Sequence, residues 1–239
     1  RCDLLLRILM LGLGNSIGGP NVFRDLNDVP SLQLWLKNGV GVAADKWDDS
    51  SRKGRDVKQD TSGNQASLFG GGLDFEEGES DHYDFLPAIE IAKNQGFCVA
   101  WVIETESGSN NTLLSDANNE AIQIQNGSKI RIYADNDSNI TTQLHVGSAF
   151  GTSKMQILLN RTGAGVWTLY KNASELTIEA DSGNSSYSDD GVNVNGFTID
   201  TVGVRNAVAG TYLDGVLYEL AVWDRALTAG EVVEVSTYL

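Results

Sequence analysis

A chain of 239 residues with 41% apolar residues, 26 glycines and 3 prolines can bury a core and lacks the composition of a disordered protein. Its formal net charge of −15 argues against a nucleic-acid or other polyanion partner, which requires clustered Lys and Arg. The acidity is that of a soluble surface, or in part of carboxylates that hold a hard cation.

The opening RCDLLLRILMLGLG is apolar at Leu4, Leu5, Leu6, Ile8, Leu9, Leu11 and Leu13. Arg7 interrupts the run, no small-residue cleavage site follows, and the stretch is too short to span a membrane. Such an arm must pack on something, either its own domain as an edge strand or a neighbouring subunit. Residues 11–21, LGLGNSIGGPN, form a turn-rich connector. The arm and connector are expected over 1–28, and one domain over 29–239, since no linker divides the rest.

From Val29 onward the pattern is one of short alternating strands between Gly, Asn, Asp and Ser turns. Strands are predicted over 32–37, 97–104, 128–135, 155–160, 165–170, 175–180, 197–204 and 216–223. Phe97, Val99, Trp101 and Ile103 share one face, and Ile130 and Ile132 alternate with Arg131 and Tyr133. Val216, Tyr218, Leu220 and Val222 are likewise expected on one apolar face. No helices intervene as a parallel sheet would require, so the class is an all-β antiparallel sandwich. One helix is signalled: Thr228-Ala229-Gly230-Glu231 has the capping-box form, and Val232, Val233, Val235 and Leu239 supply an apolar stripe.

Two cysteines, Cys2 and Cys98, are too few for a disulfide framework, and Cys98 reads as a small buried strand residue. Seven Asn-x-Ser/Thr sequons occur, including Asn126, Asn139 and Asn160, as an Asn-rich bacterial or viral protein would produce without glycosylation. His82 and His145 are too few and too far apart for a zinc site or a triad. The tryptophans invite a sugar-stacking reading, but Trp101, Trp167 and Trp223 lie in predicted strands and are expected to pack in the core, and Trp35 and Trp47 sit near the opening strand and its turn.

Three segments resemble the laminin-G-like, concanavalin A-like lectin/glucanase superfamily, as found in phage virion and bacterial surface proteins. Residues 31–59 are similar to its opening strand and W-x-D-x-S-x-x-G turn, matched by Trp47, Asp49, Ser51 and Gly54. GGLDFEEGESDHYDF, residues 71–85, resembles its L-x-F-x-G strand and D-Y loop more loosely, since a residue is added before Gly78 and His82 separates Asp81 from Tyr83. YLDGVLYELAVWDRALTAGEVVEVSTYL, residues 212–239, resembles its terminal strand and helix and is the most specific. The hairpin NRTGAGVWTLYKNASEL also looks like the family's, with Ala173 in place of the usual Gly. The resemblance covers about residues 29–239 and implies a two-sheet jelly roll with a short C-terminal helix.

EEGESDHYD, residues 76–84, is the dense carboxylate cluster and reads as a loop. A glycosidase site built from Glu79, Asp81 and Asp84 is disfavoured, because Asp84 is five residues from Glu79 and the intervening side chains make no core-facing set. By the resemblance, Asp81 and Asp84 would meet Glu219 at a calcium ion; the rival expectation is a solvated acidic turn. No catalytic residue is assigned. The foremost expectation is a non-enzymatic virion protein of a tailed phage, a capsid decoration protein or a tail or fibre component. The arm would dock it on neighbouring virion subunits or build a homo-oligomer. The alternative is a calcium-dependent module of an extracellular or cell-surface protein that binds glycans, and a glycoside hydrolase ranks below both.

Overall fold

The computed structural model describes residues 23–106, 110–116, 120–125, 127–134, 142–146, 150–178, 195–205 and 211–239. The arm residues Leu4 to Leu13 with Cys2, the connector, the Asn126 and Asn139 sequons and the end of the 175–180 strand lie outside them.

Two antiparallel sheets face one another. The first has eight strands, in the order β15 (Ser174–Glu175), β14 (Trp167–Lys171), β13 (Met155–Arg161), β8 (Phe97–Thr105), β17 (Gly215–Trp223), β6 (Gly72–Phe75) and β5 (Ser67–Phe69). Its eighth strand, β1 (Leu32–Leu36), pairs with the second half of β17. The other has nine, in the order β12 (Thr142–His145), β11 (Lys129–Tyr133), β10 (Ala121–Gln125), β9 (Asn110–Ser115), β16 (Phe197–Val202), β7 (Tyr83–Ile91), β4 (Val57–Lys58), β3 (Lys46–Trp47) and β2 (Val42–Ala43). The expected all-β sandwich is the fold, and its strand order is consistent with a jelly roll.

The main core lies between the sheets. Phe97, Val99, Trp101 and Ile103 of β8 all point into it and are 0% exposed. The opposite face of β8 is buried too: Cys98 and Ala100 pack with Leu26, Trp35, Trp223, Val232 and Val235 in a second cluster. Coverage on both faces is why the sequence there runs apolar without a break. The free Cys98 thiol is pushed well up by this burial, which leaves it unreactive. Leu26 and Val29 belong to the second cluster, so packing begins a few residues before the expected boundary at 29.

β17 departs from its expected alternation. A register shift between Leu217 and Glu219 marks a bulge at Tyr218. Leu217, Leu220 and Val222 therefore face the main core, whereas Val216 and Tyr218 form an outer patch with Val102. All five tryptophans are buried, at no more than 6% exposure, as expected of Trp101, Trp167 and Trp223. The matched turn explains itself: the Asp49 carboxylate accepts from the backbone N–H groups of Trp35, Ser51 and Arg55 and from the Ser51 hydroxyl, which folds residues 49–55 back onto β1. Asn160 is 7% exposed, and its side chain accepts from Leu227 N at 2.8 Å while donating to Leu227 O at 3.2 Å. Its neighbour Arg161, 1% exposed, stacks its guanidinium 4.7 Å from the Phe97 ring centroid and donates to the Gln95 and Asn195 carbonyls. Burial lowers its pKa to about 10.

The helix α1 (Ala229–Tyr238) starts at the signalled box: Thr228 Oγ1 accepts from Glu231 N, and Glu231 Oε2 accepts from Thr228 N. Val232 and Val235 are buried, each worth roughly 1.5–3 kcal/mol, but Val233, expected in the stripe, is 65% exposed. Arg225 holds Glu231 through two hydrogen bonds, at 2.6 and 2.9 Å, and pulls its carboxyl pKa down to about 2. A depressed carboxylate stabilises the fold above its unfolded pKa near 4.5, and that contribution is lost as pH falls through 2. Glu231→Gln is expected to cost about 1 kcal/mol at pH 7. In urea titrations the gap between the two proteins should close between pH 4.5 and 2; a gap that persists in acid would contradict this account.

Candidate functional site

Strand register brings together acids that are far apart in sequence. Ser67 of β5 pairs with Asp74 of β6, Asp74 with Val216 of β17, and Val216 with Glu104 of β8. Leu73 and Phe75 point into the core on either side of Asp74, and Ile103 does so beside Glu104. The carboxylates therefore stand on the outer face of the eight-stranded sheet. Gly215 sets their spacing: its φ is +131°, and a Cβ there would come within 2.1 Å of the Glu104 carbonyl oxygen, so only glycine lets β17 run this close to β8.

This row lines a cleft of about 410 Å³ formed by Phe69, Asp74, Glu104, Thr105, Glu106, Thr152 and Val216. Carboxylate oxygens of Asp74, Glu76 and Glu106 lie within 4.8 Å of one another. Glu106 is anchored through its backbone N–H to Asp214 O at 3.0 Å, and Asp214 N in turn donates to Asn111 Oδ1 at 2.8 Å. Phe69 is 54% exposed at the mouth. The Tyr218 hydroxyl donates to Glu104 Oε2 at 3.1 Å, and Lys154 Nζ sits 3.6 Å from the Tyr218 ring centroid. Burial and the Glu104 charge push the Tyr218 hydroxyl up, so it stays protonated as a donor.

The acids strain against one another. Burial, then Asp214 and Glu104, raise the Asp74 carboxyl, and burial with Glu106 and Asp74 raises Glu76. Asp74 Oδ1 is buried without a hydrogen-bond partner. The donors are all hard oxygens, a set that suits calcium and not zinc, and the orphaned Asp74 oxygen is the position such an ion would satisfy.

The set expected from the resemblance, Asp81, Asp84 and Glu219, is not brought together. Asp81 is 1% exposed and its Oδ2 accepts from Glu76 N at 2.9 Å, which makes it a fastener inside the loop. Asp84 is not in a loop: it points outward from β7 in the nine-stranded sheet, where Thr201 Oγ1 donates to it at 3.0 Å. Glu219 lies in the other sheet and accepts from Trp35 Nε1 at 2.8 Å. Two sheets separate residues that the resemblance brings together, and among the described residues it is Asp74, Glu76 and Glu106 that converge. Glu79 lies on the 3-10 turn Glu77–Glu79 and its charge acts on the buried Asp81, whereas Asp84 stands on the outer face of β7. The sequence did hold a signal for the true row, since Asp74 and Glu104 are acids alternating with core residues; their meeting depends on pairing through β17, which is non-local.

The family model described as "Concanavalin A-like lectin/glucanases superfamily" matches residues 77–233, and the chain belongs to that family. In structure it is similar to the binding domain of Paraclostridial Mosquitocidal Protein 1, with TM-score 0.58 and 17% identity over 89% of this chain and 52% of that one. It is also similar to Trypanosoma rangeli sialidase in complex with sialic acid, with TM-score 0.52 and 15% identity over 86% of this chain. The match spans 32% of the sialidase chain, and at these identities both likenesses speak to the fold alone. No curated protein matches the sequence. No helix among the described residues is long and apolar enough to cross a membrane.

A carboxyl whose folded pKa is raised favours the fold below its unfolded value, 3.8 for Asp74, and that contribution is lost as pH rises through the folded value. Without divalent cations at pH 7, Asp74→Asn removes the repulsion and should raise the melting temperature by about 2–4 °C, equivalent to ~1 kcal/mol. Scanning calorimetry in chelator checks this; a lower melting temperature would mean that the Asp74 charge is satisfied.

Proposed function

We propose that this domain is a non-catalytic glycan-binding module of a secreted or surface-exposed protein, and that the Asp74–Glu104–Glu106 cleft receives the sugar. The observation that carries the reading is the cross-strand carboxylate row opening beside the exposed Phe69 ring. Sugars are held by carboxylates that accept from hydroxyl groups and by an aromatic face that packs on ring C–H groups. Membership of a lectin/glucanase family supports it. The ligand class is a neutral glycan: the sialidase likeness does not transfer its sialic acid, because a further carboxylate would meet Asp74, Glu76, Glu104 and Glu106 at short range. Calcium held by Asp74, Glu76 and Glu106 relieves their repulsion and fixes the cleft. The protonated Tyr218 orients Glu104 and does not act as a nucleophile.

A glycan array run with and without chelator tests this. Binding to neutral glycans is expected, weakened by chelator and abolished by Asp74→Asn with Glu106→Gln. Phe69→Ala should lower affinity about 3- to 10-fold, from the roughly 0.5–1.5 kcal/mol that aromatic packing supplies. Release of shorter sugars from a bound oligosaccharide would overturn the non-catalytic assignment, and an array without any signal would overturn the whole reading.

The apolar arm favours a second reading, assembly on a phage capsid or tail, in which the sandwich is the exposed part and the arm docks on neighbouring subunits. Deleting residues 1–20 should then leave the thermal unfolding of the sandwich intact and abolish assembly, measured by sedimentation. Unchanged assembly would exclude the arm as its agent.

A further inference from the structure

We infer that the nine-stranded sheet carries a second saccharide site, on the opposite side of the sandwich from the acidic cleft; the inference rests on the glycan-binding reading and deepens it. β4 pairs with β7 at one position, Lys58 with Asp84. Beyond it the two chains part, and Arg55 closes the far end by donating through Nε to the Pro87 carbonyl at 2.9 Å. The gap is a cleft of about 440 Å³, within the roughly 300–1,000 Å³ usual for small-molecule sites.

Its chemistry is graded. Asp56, Lys58 and Asp60 alternate along one chain, which puts all three on one face, and Asp84 stands across from Lys58. One oxygen of Asp56 is committed to Asp49 N at 2.9 Å and one of Asp84 to the Thr201 hydroxyl; among the described residues the second oxygen of each has no partner. Leu86, 77% exposed, is the apolar wall. Three carboxylates repel an anion, and Lys58 in their midst offsets part of their charge and adds a donor beside the acceptors. An ammonium between carboxylates instead suits vicinal hydroxyls, each donating to an Asp and accepting from Lys58, with the C–H face of the ring against Leu86. A neutral, hydroxyl-rich sugar is the class that satisfies all of these groups.

Two such clefts on opposite sheets make one domain bivalent, able to bridge two saccharide chains. The test is stoichiometry, measured by native mass spectrometry and calorimetry on the full chain with cellohexaose, laminarihexaose and N-acetyllactosamine in calcium. Two sugars per chain are expected for the wild type. Lys58→Met and, separately, Asp84→Asn should each reduce this to one, while Asp74→Asn with Glu106→Gln also leaves one. Both Lys58 and Asp84 are exposed, and circular dichroism verifies that the variants fold. One sugar per chain in the wild type, lost in the Asp74/Glu106 variant and kept in Lys58→Met, overturns the second site and leaves the first standing. One sugar lost in Lys58→Met and kept in the Asp74/Glu106 variant supports this cleft and overturns the first. Failure of every sugar to bind the wild type overturns both.

Discussion

A one-residue slip in β17 governs the arrangement of the acidic cleft. Strand residues alternate between faces, so a bulge at Tyr218 exchanges the inner and outer sets on either side of it. Ahead of the slip, Val216 lies between Asp74 and Glu104 on the outer face and Leu217 fills the core. After it, Leu220 and Val222 take over the core, and Ala221 and Trp223 turn outward to bed the helix. The same strand thus presents a polar cleft at one end and an apolar helix seat at the other. Without the slip, Val216, Tyr218, Leu220 and Val222 would all share one face, and the strand could not offer Tyr218 to Glu104 and Leu220 to the core at once.

The two ends of the strand also differ in what they tolerate. At the helix end charge is paired: Arg225 neutralises Glu231 in a bidentate contact. At the cleft end Asp74, Glu76 and Glu106 converge without a salt bridge among the described residues, and Lys154 is engaged with the Tyr218 ring. Unpaired like charge raises local free energy. The contrast within a single strand sets the cleft apart from the general acidity of a chain with net charge −15.

The parts of the fold legible in sequence are those where burial is one-sided or complete. The β8 run, the Ile130/Ile132 alternation, the Asp49 turn and the Thr228 capping box all follow from local chemistry. β9 and β12 were silent because NNTLLS and TQLH place amides and hydroxyls where alternation would call for apolar contrast, whereas in β10 Ile122 and Ile124 do alternate with Gln123 and Gln125, over only five residues. β7 looked like a continuation of the acidic loop, with Pro87 inside it; the proline is tolerated because it falls in the irregular stretch between the Ile199–Ile89 and Thr201–Asp84 pairs, where the ladder breaks. Glu219 and Asp84 lie in different sheets, because sequence distance conceals which sheet a carboxylate joins. Asp74 and Glu104 meet through a register that no local pattern encodes.

Asn160 bears on how the chain can be made. It lies in an Asn-Arg-Thr sequon, yet in the folded protein its amide is enclosed and fastens the turn that leads into the helix. An oligosaccharyltransferase acting on an extended nascent chain would meet that amide before the strand closes over it. A glycan added there would replace one of the two amide N–H groups and wedge a bulky group against the seat of the helix. A glycan at this residue and the packing of the helix seat therefore compete for the same enclosed space.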